Sequence, residues 1–191
     1  GNFRPPQPLH GRMVAGCQED CEWYPYDELK WASCAYGADS VCATGAEQSP
    51  IDFVNCEEPA TMSEVMMDAG WTGSQTVTVT NNGHTFEVVP SATAKMTIDT
   101  ESYTLAQCHF HYGSEHTVGG VQHDLCVHCV HTRDVVPDGG RTHAVLGRFY
   151  TTDMGAAADN AFFASFVDQL PASGDADVSV DGMVMSDMMA G

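Results

Sequence analysis

Three histidines in the stretch Gln107–His131 have the type and spacing to do chemistry: His109, His111 and His128. Side chains alternate faces along a strand, so His109 and His111 share one face with Gln107 beside them. Cys108, Phe110 and Tyr112 point the other way. A His-x-His pair on a strand sets two imidazoles side by side, which suits two neighbouring positions of a tetrahedral metal. A third ligand must come from an adjacent strand. Gly119-Gly120, between Thr117-Val118 and Val121-Gln122, is a hairpin-type turn, and the strand after it carries His128. Cys126 and Val130 fall on the face of His128, and Val127, Cys129 and His131 on the other. Cys126 and Cys129 resemble a C-x-x-C pair, but on a strand they face opposite ways and would not share a metal or form a redox pair. Three neutral imidazoles would leave zinc one open position, as in a catalytic rather than a structural site. The ion would keep its net double charge and lower the pKa of bound water to about 7. The plainer reading of His-x-His is a pair of packed or surface histidines. The shared face, the turn and the parity of His128 together favour the metal.

The elements that must position these residues are mainly strands. Thr76-Val77-Thr78-Val79-Thr80 alternates with period two, a half-buried strand. Asn81-Asn82-Gly83 is a turn signal, and His84-Thr85-Phe86-Glu87-Val88-Val89 reads as the next strand. Residues 103–112, 121–131 and 143–150 are further strand candidates. Residues 156–170 have helical character, with Phe162, Phe163, Phe166, Val167 and Leu170 on one stripe. The tail from Ala172 is rich in Gly, Asp and Met and weakly patterned. Residues 1–22 form an arm that starts extended at Pro5, Pro6 and Pro8, and 23–191 form one domain. Trp23, Tyr24, Tyr26 and Trp31 are expected to anchor the N-terminal region on the core. The fold class is mainly β with minor α.

Composition narrows the setting. The 191 residues carry 7 Lys and Arg against 26 Asp and Glu, a formal charge of −19. Such a surface repels phosphate backbones and anionic lipid, which argues against nucleic-acid and membrane-surface partners. No apolar run approaches the roughly eighteen residues of a membrane span. The chain begins Gly-Asn-Phe and reads as a processed or partial chain. Eight cysteines, five of them at positions 17, 21, 34, 42 and 56, point to disulfides in a secretory, extracellular or organelle-lumen setting, such as a thylakoid lumen, rather than the cytosol. The sequence does not fix their pairing.

Several segments, in order, resemble the signatures of the alpha-class carbonic anhydrases: Gln48-Ser49-Pro50-Ile51-Asp52, Asn81 to Phe86, Gln107 to Tyr112, Ser114 to Val118, Val127 to His131, and Ala144 to Gly147. The resemblance runs from about Trp23 onward. It implies a large twisted, mostly antiparallel sheet and reversible hydration of CO2 to bicarbonate by attack of a zinc-held hydroxide. Carried over, His109, His111 and His128 would be the Zn2+ ligands and Gln107 would orient His109. Glu115 would be the acid of the gating pair beside the reacting water. His84 would be the proton shuttle, since imidazole changes charge nearest physiological pH. Asn82 would line the polar side of the cavity, and Val130 and Val145 its apolar wall. His116, His123, His131 and His143 have no metal role in this reading. The plainer readings are ordinary core valines at Val130 and Val145 and a simple turn residue at His84, where the match favours the shuttle.

Two departures from the family pattern stand out. Cys126 stands where the family usually has a glutamate that accepts the remaining N–H of the third ligand, and a thiol is a poorer acceptor. The family's Ser-Leu-Thr-Thr-Pro-Pro-like segment, with the threonine partner of the gating glutamate, has no counterpart in 171–191. Cys42 sits about where secreted members place the first half of a disulfide, and its usual partner follows that segment. The expectation is therefore a sheet without its C-terminal strands, completed by a missing segment or a partner chain. An impaired structural or binding subunit of a larger assembly is the rival to the enzyme, and a metal store without turnover is a third reading. All three ligand histidines are present, which favours the enzyme.

Overall fold

A computed structural model describes residues 49–54, 63–137, 142–152 and 160–190. The proline-rich arm, the four N-terminal aromatic anchors and the five N-terminal cysteines lie outside the described residues, as does Gln48. The described residues fall into two compact units: the smaller holds those up to 54 with Glu115–Gln122, the larger holds the rest.

In the smaller unit, β1 (Asp52–Phe53) pairs in parallel with β7 (Thr117–Val118), which pairs antiparallel with β8 (Val121–Gln122). Gly119 and Gly120 make the two-residue turn at φ 58° and 76°, the left-handed region that favours glycine in such a turn. Asp52 tethers it, its carboxylate accepting from the Gly120 N–H and the Thr117 hydroxyl at 2.9 and 2.7 Å.

The larger unit is an antiparallel sheet in the order β10-β9-β6-β4-β3-β11, with β5 also pairing β6 and β2 pairing β5. The strands are β2 (Val65–Met67), β3 (Ser74–Asn81), β4 (Phe86–Pro90), β5 (Lys95–Ile98), β6 (Glu101–Tyr112), β9 (Leu125–Arg133), β10 (His143–Tyr150) and β11 (Val178–Val184). Helices are few and short: α1 (Ala69–Thr72), α2 (Ala161–Phe166), and 3-10 turns at Val167–Gln169 and Met185–Met189. Among the described residues no helix is long and apolar enough to cross a membrane.

Register decides which face does what. One row of paired residues runs Val178, Val79, Val88, Cys108, Cys129, Leu146 across six strands. It lies on the packed face, where Val79, Val88, Cys108 and Cys129 are almost fully buried. Trp71 of α1, Phe162 and Phe166 of α2, and Met185 and Met188 of the last 3-10 turn join the same core cluster. The next row runs Thr80, Glu87, His109, His128, Gly147 and must point to the opposite face. The strict period of two therefore places the core directly behind the histidines. Each buried valine contributes about 1.5–3 kcal/mol by leaving water, so the packed face supplies much of the rigidity the other face uses.

Four expectations need correction. The tail from Ala172 is not weakly structured: β11 pairs β3 along Val178–Val180 and again at Met183–Val184. It buries Val180 and Met183, with Met185 and Met188 after it. Asp and Gly at 181–182 hide the alternation, because the strand is irregular there and Gly182 takes φ 78°. The second strand begins at Phe86 rather than His84, since Asn82 closes a turn through His84 and Thr85. Within 121–131, His123 and Asp124 interrupt the strand and separate β8 from β9. Of the helix expected at 156–170, residues 156–159 lie outside the described residues, and the described part is a helix over Ala161–Phe166 followed by a 3-10 turn. That tightening rotates Val167 to the surface, 43% exposed, while Phe162 and Phe166 stay inside.

At the edge where β5, β6 and β9 meet, Asp134 accepts from Lys95 Nζ at 2.6 Å, Thr104 Oγ1 at 2.6 Å and Ser102 Oγ at 2.7 Å. The Lys95 hydrogen bond, followed by those of the two hydroxyls, lowers the Asp134 carboxyl from 3.8 to about 2. A lowered folded-state pKa gives stability that is present above the unfolded value and lost as pH falls through the folded one. Asp134→Asn is therefore expected to be less stable than the wild type at neutral pH. The gap should close between about pH 4 and pH 2. Urea melts at stepped pH check this, and a gap constant across that window would refute the role.

Candidate metal centre

His109 and His111 come from β6 and His128 from β9, with His109 directly opposite His128 in the ladder. One ligand nitrogen from each of the three lies within 4.8 Å of the others. The ring centroids are 5.0 Å apart for His109 and His111, 5.5 Å for His109 and His128, and 4.9 Å for His111 and His128. Among the described residues this is the one group of His, Cys, Asp and Glu side chains close enough to hold an ion.

The donor set fits a divalent metal of the zinc type. Nitrogens bonded at about 2.0–2.1 Å to one tetrahedral ion stand roughly 3.4 Å apart, so small ring rotations bring three clustered nitrogens to that spacing. The rings are half-buried, and this sets their charge. Burial lowers the pKa of His109. Burial, then the neighbouring His128 and His109, pushes His111 down to about 3. His109 and His111 are thus held as neutral imidazoles, the form a metal binds.

The surroundings orient the rings. His109 Nδ1 donates to Gln107 Oε1 at 2.9 Å, which puts the proton on Nδ1 and the lone pair on Nε2. Cys126, a buried thiol, has its sulfur 3.7 Å from His128 Nε2, which leaves Nδ1 of that ring for the cluster. Thr85, which local patterning marks only as a strand residue, positions the site as well. Its hydroxyl accepts from the Phe110 N–H at 2.9 Å and donates to the Phe110 carbonyl at 2.5 Å. It thereby fixes the backbone between His109 and His111 where β4 has stopped pairing. Gly147 stands opposite His128, and a Cβ there would lie 3.6 Å from the imidazole ring.

The remaining sequence candidates sit as follows. Val130 and Val145 are register partners on the histidine face, Val130 half-buried and Val145 56% exposed. Asn82 Oδ1 accepts from the N–H groups of His84 and Thr85, both at 3.0 Å, so Asn82 shapes the turn. His84 is exposed on that turn. Glu115 belongs to the smaller unit. Burial raises its carboxyl, and the neighbouring His116 offsets this in part. His131 is fully buried and stacks on Trp71 at 5.5 Å. His123 stacks on Phe149 at 4.8 Å, His116 Nδ1 accepts from the Ile51 N–H at 2.9 Å, and His143 bonds Thr142.

One feature of the site escapes sequence reasoning. Cys108 and Cys129, register partners with Cα atoms 4.0 Å apart, form a disulfide between β6 and β9. Parity puts both on the face opposite the histidines, which is half of the signal. The other half is the pairing of the two strands, and only the folded sheet supplies it.

The antiparallel sheet and its histidine cluster define a scaffold of the alpha-carbonic anhydrase kind. The sequence profile of the eukaryotic-type carbonic anhydrase family matches residues 27–190, and the chain belongs to that family. It is similar to alpha carbonic anhydrase 4 of Arabidopsis thaliana, 36% identical over 148 residues that cover 75% of this chain and 50% of that protein. It is also similar to human carbonic anhydrase 6, 30% identical over 66% of this chain and 46% of that protein. The chain thus spans about half the length of these relatives. Among solved structures, it matches the Photobacterium profundum alpha-carbonic anhydrase with a TM-score of 0.64 at 28% identity, covering 79% of this chain and 65% of that one. It matches carbonic anhydrase Cah3 from Chlamydomonas reinhardtii, in complex with acetazolamide, with a TM-score of 0.63 at 29% identity over 78% and 61% of the chains.

Proposed function

We propose that the protein catalyses the reversible hydration of CO2 to bicarbonate and a proton at a zinc ion held by His109, His111 and His128. The observation that carries this reading is the convergence of three ring nitrogens within 4.8 Å on the face opposite the core. Zinc, when bound, supplies the positive charge that makes water acidic enough to act as a nucleophile near neutral pH.

The chain's own residues do the rest. Gln107 holds the Nδ1 proton of His109 and so aims Nε2 inward. Cys126 occupies the corresponding place at Nε2 of His128. Val130 and Val145 give an apolar wall suited to a neutral, weakly hydrated gas. Asn82 keeps the turn in shape and is assigned to the polar side of the cavity. His84, exposed beside it, carries the released proton to buffer, and Glu115 takes the part of the gating acid that the family resemblance gives it. The buried Cys108–Cys129 disulfide supports folding in an oxidising, secretory or lumenal compartment.

The Cys126 contact also favours a second reading, in which the chain is catalytically impaired and serves as a structural or binding subunit of a larger assembly. A stopped-flow CO2 hydration assay with zinc analysis and a sulfonamide control separates the two. Sulfonamide-sensitive turnover with one zinc per chain is the expected result. Full zinc without turnover supports the second reading, and absence of zinc binding overturns the first.

Gln107→Ala is expected to weaken zinc binding about tenfold, since loss of a ligand's orienting hydrogen bond costs 10–100-fold. Competition against a chromophoric chelator measures this, and an affinity equal to wild type would show that Gln107 does not orient His109.

A further inference from the structure

We infer that the Cys108–Cys129 disulfide is the positioning element of the metal centre, fixing His109 of β6 against His128 of β9. The inference rests on the zinc reading above. The two cysteines form the rung next to the His109–His128 rung. Their side chains enter the core while the imidazoles leave on the other face, so the covalent link locks the backbone beneath two of the three ligands.

The rung belongs to a ladder that runs unbroken from Gln107–Val130 to Tyr112–Leu125, and Thr85 holds Phe110 beside it, but neither restraint is covalent. The β6–β9 ladder is irregular between Leu105 and Gln107, two residues before His109. On the far side of β6, β4 contributes only the pairs Glu87 with His109 and Val88 with Cys108. On the far side of β9, the residue opposite His128 is Gly147, which has no side chain to brace it. At His128, Cys126 offers a thiol at 3.7 Å, a weaker acceptor than a carboxylate. A slip of one residue between β6 and β9 would turn His109 away from His128, and the disulfide forbids that slip. Both sulfurs are fully buried, and Met188 covers Cys129 at 3.9 Å.

Reduction by a dithiol would break the one S–S bond, form two protein thiols and oxidise the dithiol to its cyclic disulfide. The metal centre then loses its covalent register lock without losing a ligand.

The test uses the whole protein with zinc and cobalt as probes. Zinc affinity by chelator competition, the visible spectrum of the cobalt form and the melting temperature of the metal-free form are measured together. The proteins are the wild type, C108A/C129A, and C108V/C129V, which restores volume without a bond. Both double variants are expected to bind zinc at least about tenfold more weakly, the lower end for lost ligand support, with a weakened tetrahedral cobalt spectrum. Wild-type affinity and spectrum in both variants, whatever the melting temperature, would overturn the inference, because the bond would then serve stability alone. Recovery in the valine pair only would also overturn it, assigning the effect to packing. If both variants fail to fold, dithiol treatment of the zinc-loaded wild type decides. Once mass labelling of the Cys108 and Cys129 thiols shows the bond reduced, faster transfer of zinc to chelator while near-ultraviolet circular dichroism stays native supports the inference, and unchanged transfer overturns it. A wild type that binds no zinc fails the proposed function itself and takes this inference with it.

Discussion

His111→Ala is expected to strip zinc from the protein and reduce CO2 hydration on the order of a thousandfold or more, because water without the metal's charge returns to its ordinary acidity. His111 is the sharpest choice of the three. It sits close to both other rings, at 5.0 Å from His109 and 4.9 Å from His128. Its side chain lies on the face away from the core, so truncation leaves the Val88, Cys108 and Phe110 packing in place. Circular dichroism should therefore show a native sheet, while zinc per chain falls toward zero. Retained stoichiometric zinc, or turnover close to wild type, would remove His111 from the centre and with it the proposed chemistry.

The second large effect is a gain. Cys126→Glu is expected to tighten zinc binding by about 10- to 100-fold, the range associated with a carboxylate supporting a ligand histidine. Cys126 is almost fully buried, with its sulfur at His128 Nε2. A carboxylate there would accept the Nε2 proton and make the ring a stronger donor. The same charge is costly without its partner cation. The metal-free variant should therefore melt lower than wild type while the zinc-loaded variant binds more tightly. Two opposite shifts in one protein are hard to obtain by accident. Equal or weaker zinc affinity, measured by chelator competition, would show that the thiol is not standing in for an acid.

The sequence exposes what depends on period and parity. His109 and His111 can be placed on one face because residues 107–112 alternate without interruption, and His128 because its strand keeps the same parity. The Gly119-Gly120 turn is legible because two adjacent glycines suit a bend that requires positive φ. What stays hidden depends on register between distant segments. Cys108 and Cys129 fall on the correct face, yet nothing local says that they meet. Strand β11 is obscured because Asp181 and Gly182 interrupt its alternation. Its apolar residues, Val180 and Met183, are three apart rather than two. Thr85 is equally hidden, since its hydroxyl acts on Phe110, 25 positions along the chain.

The alternating rows of the sheet imply an unusual pattern of tolerance to change. Neighbouring positions on β6 and β9 belong alternately to a dry interior and to the reacting face, so point substitutions on the histidine row leave the interior packing largely undisturbed. Removing a single codon within either strand would instead exchange the two populations, sending cysteines outward and imidazoles into the apolar interior. Evolution, or a designer, can therefore rewrite the chemistry of this surface letter by letter, but cannot shorten or lengthen the two strands by one residue without abolishing it.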